Sequence, residues 1–247
     1  MDINTLLGYL LGAGLFAFAF SDNSLRAVFL NEHGILLVFG GTIAATLVST
    51  PPRQLLLALR GLGDAFFPTV QPNPDELIME ITRMSERMHR GGISALQGHS
   101  AAKGNEFLTF ATTTALQRPD PEHVRKVLEV SIRQREATWM RAAGVFQTTG
   151  VLSPMFGLLG TIIGIVGVLK DIANPHSIGP AMAIAMTTAF YGILVSAFFC
   201  TPIANKIKAR AHEERRMREL ILLGMMDVIA KAIPIEVESH LRAFAQR

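Results

Sequence analysis

The stretch whose reading decides the fold is Ser153-Pro154-Met155-Phe156-Gly157-Leu158-Leu159-Gly160-Thr161-Ile162-Ile163-Gly164-Ile165-Val166-Gly167. No charge interrupts it, and small residues recur three and four apart. Gly160 and Gly164 form one small-xxx-small pair, and Gly157 with Thr161 forms another on an adjacent line, so a second helix can approach closely. The uncharged run extends from Val145 to Leu169, long enough as a helix to cross a hydrocarbon core of about 30 Å. Gly167 continues the same small-residue pattern.

Three further stretches are free of charge: Ile3 to Phe20, Gly34 to Thr50 and Ile178 to Ile203. At ~1.5 Å per residue the two shorter ones reach roughly 26 Å, a gap that bilayer thinning or flanking helix can close. A buried hairpin of a soluble protein is the alternative for the first two, and the presence of four such stretches in one chain argues against it. Met1-Asp2-Ile3-Asn4 offers no positive segment of the kind that precedes a cleaved signal. Composition agrees, with 49% hydrophobic and 17% charged residues and a mean hydropathy of +0.34, whereas soluble domains carry about a quarter charged residues. The expected fold is therefore an all-α integral membrane protein with four transmembrane helices and a helical cytoplasmic domain. Its divisions are 1–50 (spans one and two), 51–144 (cytoplasmic insert), 145–203 (spans three and four) and 204–247 (C-terminal helix and tail).

Orientation follows from the basic residues. Of 23 Lys and Arg, 12 fall between Arg53 and Arg141 and nine between Lys206 and Arg247. The positive-inside rule thus puts both segments, and both termini, in the cytoplasm, with only Arg26 and Lys170 elsewhere. The single cysteine, Cys200, can form no internal disulfide and reads as a small packing residue. A pI near 9.3 would suit nucleic acid, but no zinc spacing or aromatic–basic signature accompanies it. Seven scattered histidines and the lack of a nucleophile, metal or phosphate-loop constellation argue against an enzyme, a catalytic residue or a bound cofactor.

The insert reads as helices with clear punctuation. Asn73-Pro74-Asp75-Glu76 is a start signal, Leu77, Ile78, Ile81, Met84 and Met88 share one face, and Gly91-Gly92 is a stop. Asp120-Pro121-Glu122 repeats the start, Val124, Val127, Leu128 and Ile132 follow at helical spacing, and nothing breaks the helix before span three. After span four, Ile203 to Ile233 reads as another long helix ended by Pro234.

The order of these pieces resembles the MotA/PomA flagellar stator family. The residues that carry the resemblance are Pro154-x-x-Gly157-x-x-Gly160-Thr161 in span three and Gly179-Pro180-Ala181-Met182-Ala183, Tyr191-Gly192 and Pro202-Ile203-Ala204-Asn205-Lys206 in span four. It extends from Met1-Asp2-Ile3 and Gly40-Gly41-Thr42 to the C-terminal helix. The resemblance implies a homo-oligomeric, pentameric ring in the bacterial inner membrane around single helices of a MotB/PomB-type partner. It also implies that Pro154, Thr161, Thr188, Tyr191 and Pro202 face the partner and the ion path, and that His89, Arg90 and Gln97 face a FliG-like rotor protein.

The residues themselves support that division of labour. An intramembrane ion path needs an ionisable or strongly coordinating group, and none of the four stretches contains Asp or Glu, so a partner must bring the carboxylate. Pro154 and Thr161, seven apart, share a helix face. Intramembrane Thr often bonds its own backbone and Pro often marks only a kink, which are the ordinary alternatives. Two departures from the family pattern stand out. Sodium-type members often read Thr-Thr-x-Tyr-Gly, whereas Ala189 here stands where the second Thr would be, which favours H+ over Na+; and Gln97 replaces a usual carboxylate. The related ExbB/TolQ energisers, with three spans in a different order, and a passive scaffold are the competing readings.

Overall fold

The computed structural model describes residues 3–21, 29, 31–66, 73–97, 105–170 and 172–246. Met1, Asp2, Arg26 and Arg247, used in the sequence reading, lie outside these residues. Among the described residues every regular element is helical: α1 (Ile3–Ala19), α2 (Glu32–Ser49), α3 (Pro52–Phe66), α4 (Pro74–Gly91), α5 (Glu106–Gln117), α6 (Pro121–Lys170), α7 (Pro175–Leu194), α8 (Thr201–Ile229) and α9 (Pro234–Ala245). A π-helical stretch, Val195–Cys200, joins α7 to α8 without a break. Its cause is local: Pro202 has no N–H to give Phe198 and its ring crowds that carbonyl, so the preceding turn widens.

Two compact units emerge, one formed by residues 1–69 and 139–209, the other by 70–138 and 210–247. Among the described residues three helices are long and apolar enough to cross a membrane, α2 in the first unit and α6 and the continuous run Ile178–Ile229, each shared between the two units, and α1 in the first unit is a shorter apolar helix. In the first unit the aromatic contacts are dense. Here α1 meets α7 through aromatic edges. Phe16 and Phe20 both set their rings against Phe190, and Phe16 and Tyr9 meet Phe198 at 5.8 and 5.3 Å, an arrangement favoured by the ring quadrupole.

The second unit has the core of a soluble protein. Leu77, Ile78, Ile81, Met84 and Met88 from α4, Val124, Leu128 and Ile132 from α6, Leu220, Ile221 and Met225 from α8, and Val237 and Leu241 from α9 are all buried together. The expected start and stop of α4 are as the sequence indicates: Asn73 Oδ1 accepts from the Asp75 N–H, Pro74 opens the helix, and Gly92 closes it at φ +67°. Asp120 caps α6 by accepting from Glu122 N–H at 3.2 Å, and α6 then runs for 50 residues through Pro154. The expected helix to Ile233 is corrected. α8 stops at Ile229 because Lys231 adopts φ +59°, with its N–H donating to Val228 and that of Ala232 to Asp227, a Schellman closure with lysine at the left-handed position. Ser85 Oγ then donates to the Ala232 carbonyl at 2.8 Å, and Pro234 opens α9 rather than merely ending a helix.

Candidate functional site: the glycine-packed face of α6 and α7

Glycines bring α6 and α7 to backbone contact. A methyl group added at Gly157 would lie 2.8 Å from the Thr188 carbonyl oxygen, and one at Gly164 would lie 2.7 Å from the Ala181 carbonyl and 2.7 Å from the Ala185 methyl. At Gly192 it would lie 2.7 Å from the Ser153 carbonyl and 3.0 Å from Pro154 Cα. None of these backbone atoms can swing away, so only glycine fits. Gly160 makes the notch that receives the Thr188 side chain, whose Oγ1 lies 2.4 Å from where a methyl would be. Ser153 Oγ donates to the Gly192 carbonyl at 3.1 Å and locks the pair at that level. Gly167 differs, since a methyl there would meet the Ala181 side chain at an ordinary 3.5 Å.

This packing sorts the hydroxyls. Thr188 is fully buried, bonded to the Ile184 and Ala185 carbonyls at 3.0 Å each, and Thr187 is buried with bonds to Ala183 and Ile184. Both satisfy themselves on their own helix, the usual habit of threonine in an apolar medium. Tyr191 is buried as well, its ring beside Gly34 of α2. Its hydroxyl is buried and finds no hydrogen-bond partner among the described residues. Thr161 is only half-buried and donates to Leu158 at 2.6 Å, and Pro154, one heptad before it, is also half-buried. Around them the α6 surface is apolar and open, with Met155, Leu158, Ile162 and Ile165 each about half exposed. Pro202 is exposed at the start of α8. Pro154 and Thr161 therefore share an outward stripe, Thr188 and Tyr191 sit inside the helix pair, and Pro202 stands apart from both.

The sequence reading passed over Gly192 and Ser153 as packing residues. Their signal was present in span four, where Ala181, Ala185, Thr188 and Gly192 are small and recur four, three and four apart, mirroring Gly157, Gly160 and Gly164. Gly41 was legible only as part of a motif, and its role is to seat the Phe156 ring. Thr46 of α2 and Thr149 of α6 add a hydroxyl contact at 3.3 Å.

In the second unit His89 and Arg90 are exposed at the end of α4, and Gln97 is exposed after a 3-10 turn, Ile93–Leu96, whose Leu96 is fully buried. His89 Nδ1 lies 3.2 Å from the Ser85 carbonyl. The three side chains are thus held on either side of one glycine-made corner. Elsewhere in this unit α6 and α8 are tied by charge, Arg135 to Glu214 and Glu136 to Arg215 at 2.9 Å each, while Glu214 also pairs with Arg218 of its own helix at 2.7 Å. Glu219, then Glu136, hold the Arg215 guanidinium even more firmly protonated than usual.

Residues 99–220 match the MotA/TolQ/ExbB proton channel family. Over 244 residues the chain is 30% identical to the chemotaxis protein PomA of Vibrio alginolyticus, spanning 99% of this chain and 95% of that one. Among solved structures it superposes on C. jejuni MotAB with a TM-score of 0.88 at 23% identity, over 99% of this chain and 96% of that chain. On the flagellar MotAB stator complex from Bacillus subtilis the TM-score is 0.83 at 23% identity, over 95% and 92%. At that identity the superpositions speak to the fold, and the fold is the same.

Proposed function

The chain belongs to the MotA/PomA stator family, and from that membership we propose that it is the ring subunit of an ion-driven flagellar stator. It conducts ions together with a MotB/PomB-type partner and passes torque to the rotor through its cytoplasmic helices. The observation that carries the reading is the α6–α7 pair: a rigid, glycine-packed wall that offers Pro154 and Thr161 on an apolar stripe, with no carboxylate in residues 145–170 or 175–194. An ion crossing there needs a charged acceptor, and a partner helix lying on that stripe supplies it.

In this reading α1, α2, α6 and the α7–α8 run are the four spans, in the bacterial inner membrane with both termini cytoplasmic. Five copies form a ring around two partner helices. The broad apolar exposure of α6 supports burial against partner, neighbours or lipid. Thr161 gives the ion path its hydroxyl, while Thr188 and Tyr191 position the wall from behind. Protons are the favoured ion, since Thr188 is turned to its own backbone. Neutralising the partner carboxylate releases its hold on one ring subunit, and one charge crossing 100 mV supplies about 2.3 kcal/mol per passage to bias the next step. His89, Arg90 and Gln97 form the rotor-facing corner.

The test is to co-express the chain with the MotB/PomB-type chain of its own genome, image the complex, and measure flux with Thr161→Val, which keeps shape and removes the hydroxyl. The expected result is a ring of several copies around two partner helices with flux reduced at least severalfold in the variant. A complex without a ring, or unchanged flux in Thr161→Val, contradicts the assignment.

A further inference from the structure

Helix α3 uses only half of its surface inside the protein. Ala58 and Gly61 are buried and Leu57, Leu62 and Phe66 partly so, and a methyl added at Gly61 would lie 3.2 Å from the Ile207 side chain and 3.5 Å from that of Ala142, so α3 packs on the middle of α6 and the first turns of α8. The opposite stripe is Arg53, Leu56, Leu59 and Arg60, all exposed, with Leu56 and Leu59 at 62% and 65%. Two leucines flanked by two arginines on one open face is the pattern of a helix at a membrane surface, apolar side chains toward the acyl boundary and cations at the headgroups. The connection fixes the depth, for α3 begins only Thr50 and Pro51 after α2 ends, too short a link to carry it away from the bilayer surface.

The charge around this stripe is one-sided. Arg141, Lys206 and Lys208 neighbour in sequence the residues that α3 packs on, and Asp64 is the single carboxylate between His33 and Asn73, with none in 137–170 or 172–212. A second copy of the chain would present the same carboxylate-poor basic edge, whereas a leaflet rich in phosphatidylglycerol or cardiolipin presents the complement. We propose that α3 lies in the headgroup layer and that its Arg53–Leu56–Leu59–Arg60 stripe binds anionic phospholipid. This surface rests on the membrane-spanning reading above, and it adds a lipid requirement that the ion path itself does not contain.

The experiment uses the full chain, purified with its partner and titrated with phosphatidylglycerol or phosphatidylcholine, with bound lipid counted by native mass spectrometry. Wild type should retain phosphatidylglycerol with about tenfold preference, Arg53→Gln/Arg60→Gln should lower that preference to near unity, and Arg53→Lys/Arg60→Lys should keep most of it. In a Cys200→Ser background, a fluorophore on Leu56→Cys should be quenched by lipids brominated near the headgroup more than by those brominated near the bilayer centre. Equal preference in wild type and the glutamine variant overturns the proposal, as does an unquenched fluorophore. A glutamine variant that loses copies from the complex while its lipid preference stands also overturns it, assigning the stripe to contact between copies. Carbonate-resistant membrane association is measured alongside; its loss would sink the spanning reading, and its presence without lipid preference would sink only this inference.

Discussion

One helix, α6, is held by two different chemistries along its length. Near its start Val124, Leu128 and Ile132 enter a large apolar core with partners from α4, α8 and α9; farther on, Gly157 and Gly164 meet the α7 backbone and Gly160 receives the Thr188 side chain. Water drives the first kind of packing, since burying a leucine removes apolar area from it, about 1.5–3 kcal/mol per large side chain. In lipid that drive is absent, and close van der Waals fit takes over. The difference teaches where each region is vulnerable: the core to lost volume, the span pair to added volume.

Adding volume to the span pair should do the most damage. Gly164→Val places carbon against the Ala181 carbonyl and the Ala185 backbone, and we expect no stable complex in detergent and no motility; fluorescence size-exclusion of a tagged chain checks it, and a monodisperse peak would break the comparison. Removing volume from the core comes next. Leu128→Ala should cost about 2–5 kcal/mol, seen as faster hydrogen exchange in α4 and α8, with α7 unchanged.

A smaller effect of opposite sign is expected at Lys231. Lysine pays about 1 kcal/mol in the left-handed region that glycine occupies freely, so Lys231→Gly should raise the thermal midpoint by a few degrees. Smallest is Gly167→Ala, where the 3.5 Å clearance leaves room for a methyl. Its assembly should match wild type, which sharpens the contrast with Gly164 three residues before it.

The sequence made much of this visible. Asn73-Pro74 and Gly91-Gly92 state the ends of α4 because caps and positive φ depend on local residues, and the 3–4 spacing of glycines in span three announces close approach. Less was legible where the determinant is tertiary. Lys231 carries no sign of a left-handed turn, since glycine is the usual mark, so the break between α8 and α9 was placed late. Helix α3 was missed altogether because its Leu55, Leu57, Ala58 and Leu62 follow an apolar run without a starting cap. Thr188 reads as a hydroxyl for an ion path, and only the notch at Gly160 reveals that it faces inward. Small residues on span four gained meaning once paired with those on span three, an instruction that no single helix contains.

The central claim is that this chain forms a wall without a charge and depends on a partner's carboxylate to pass ions. The direct test is proton flux into vesicles under a membrane potential, with the chain alone, with its MotB/PomB-type partner, and with that partner's intramembrane Asp changed to Asn. The account predicts flux only for the second preparation; equal flux from the chain alone, or undiminished flux with the Asn partner, would contradict it.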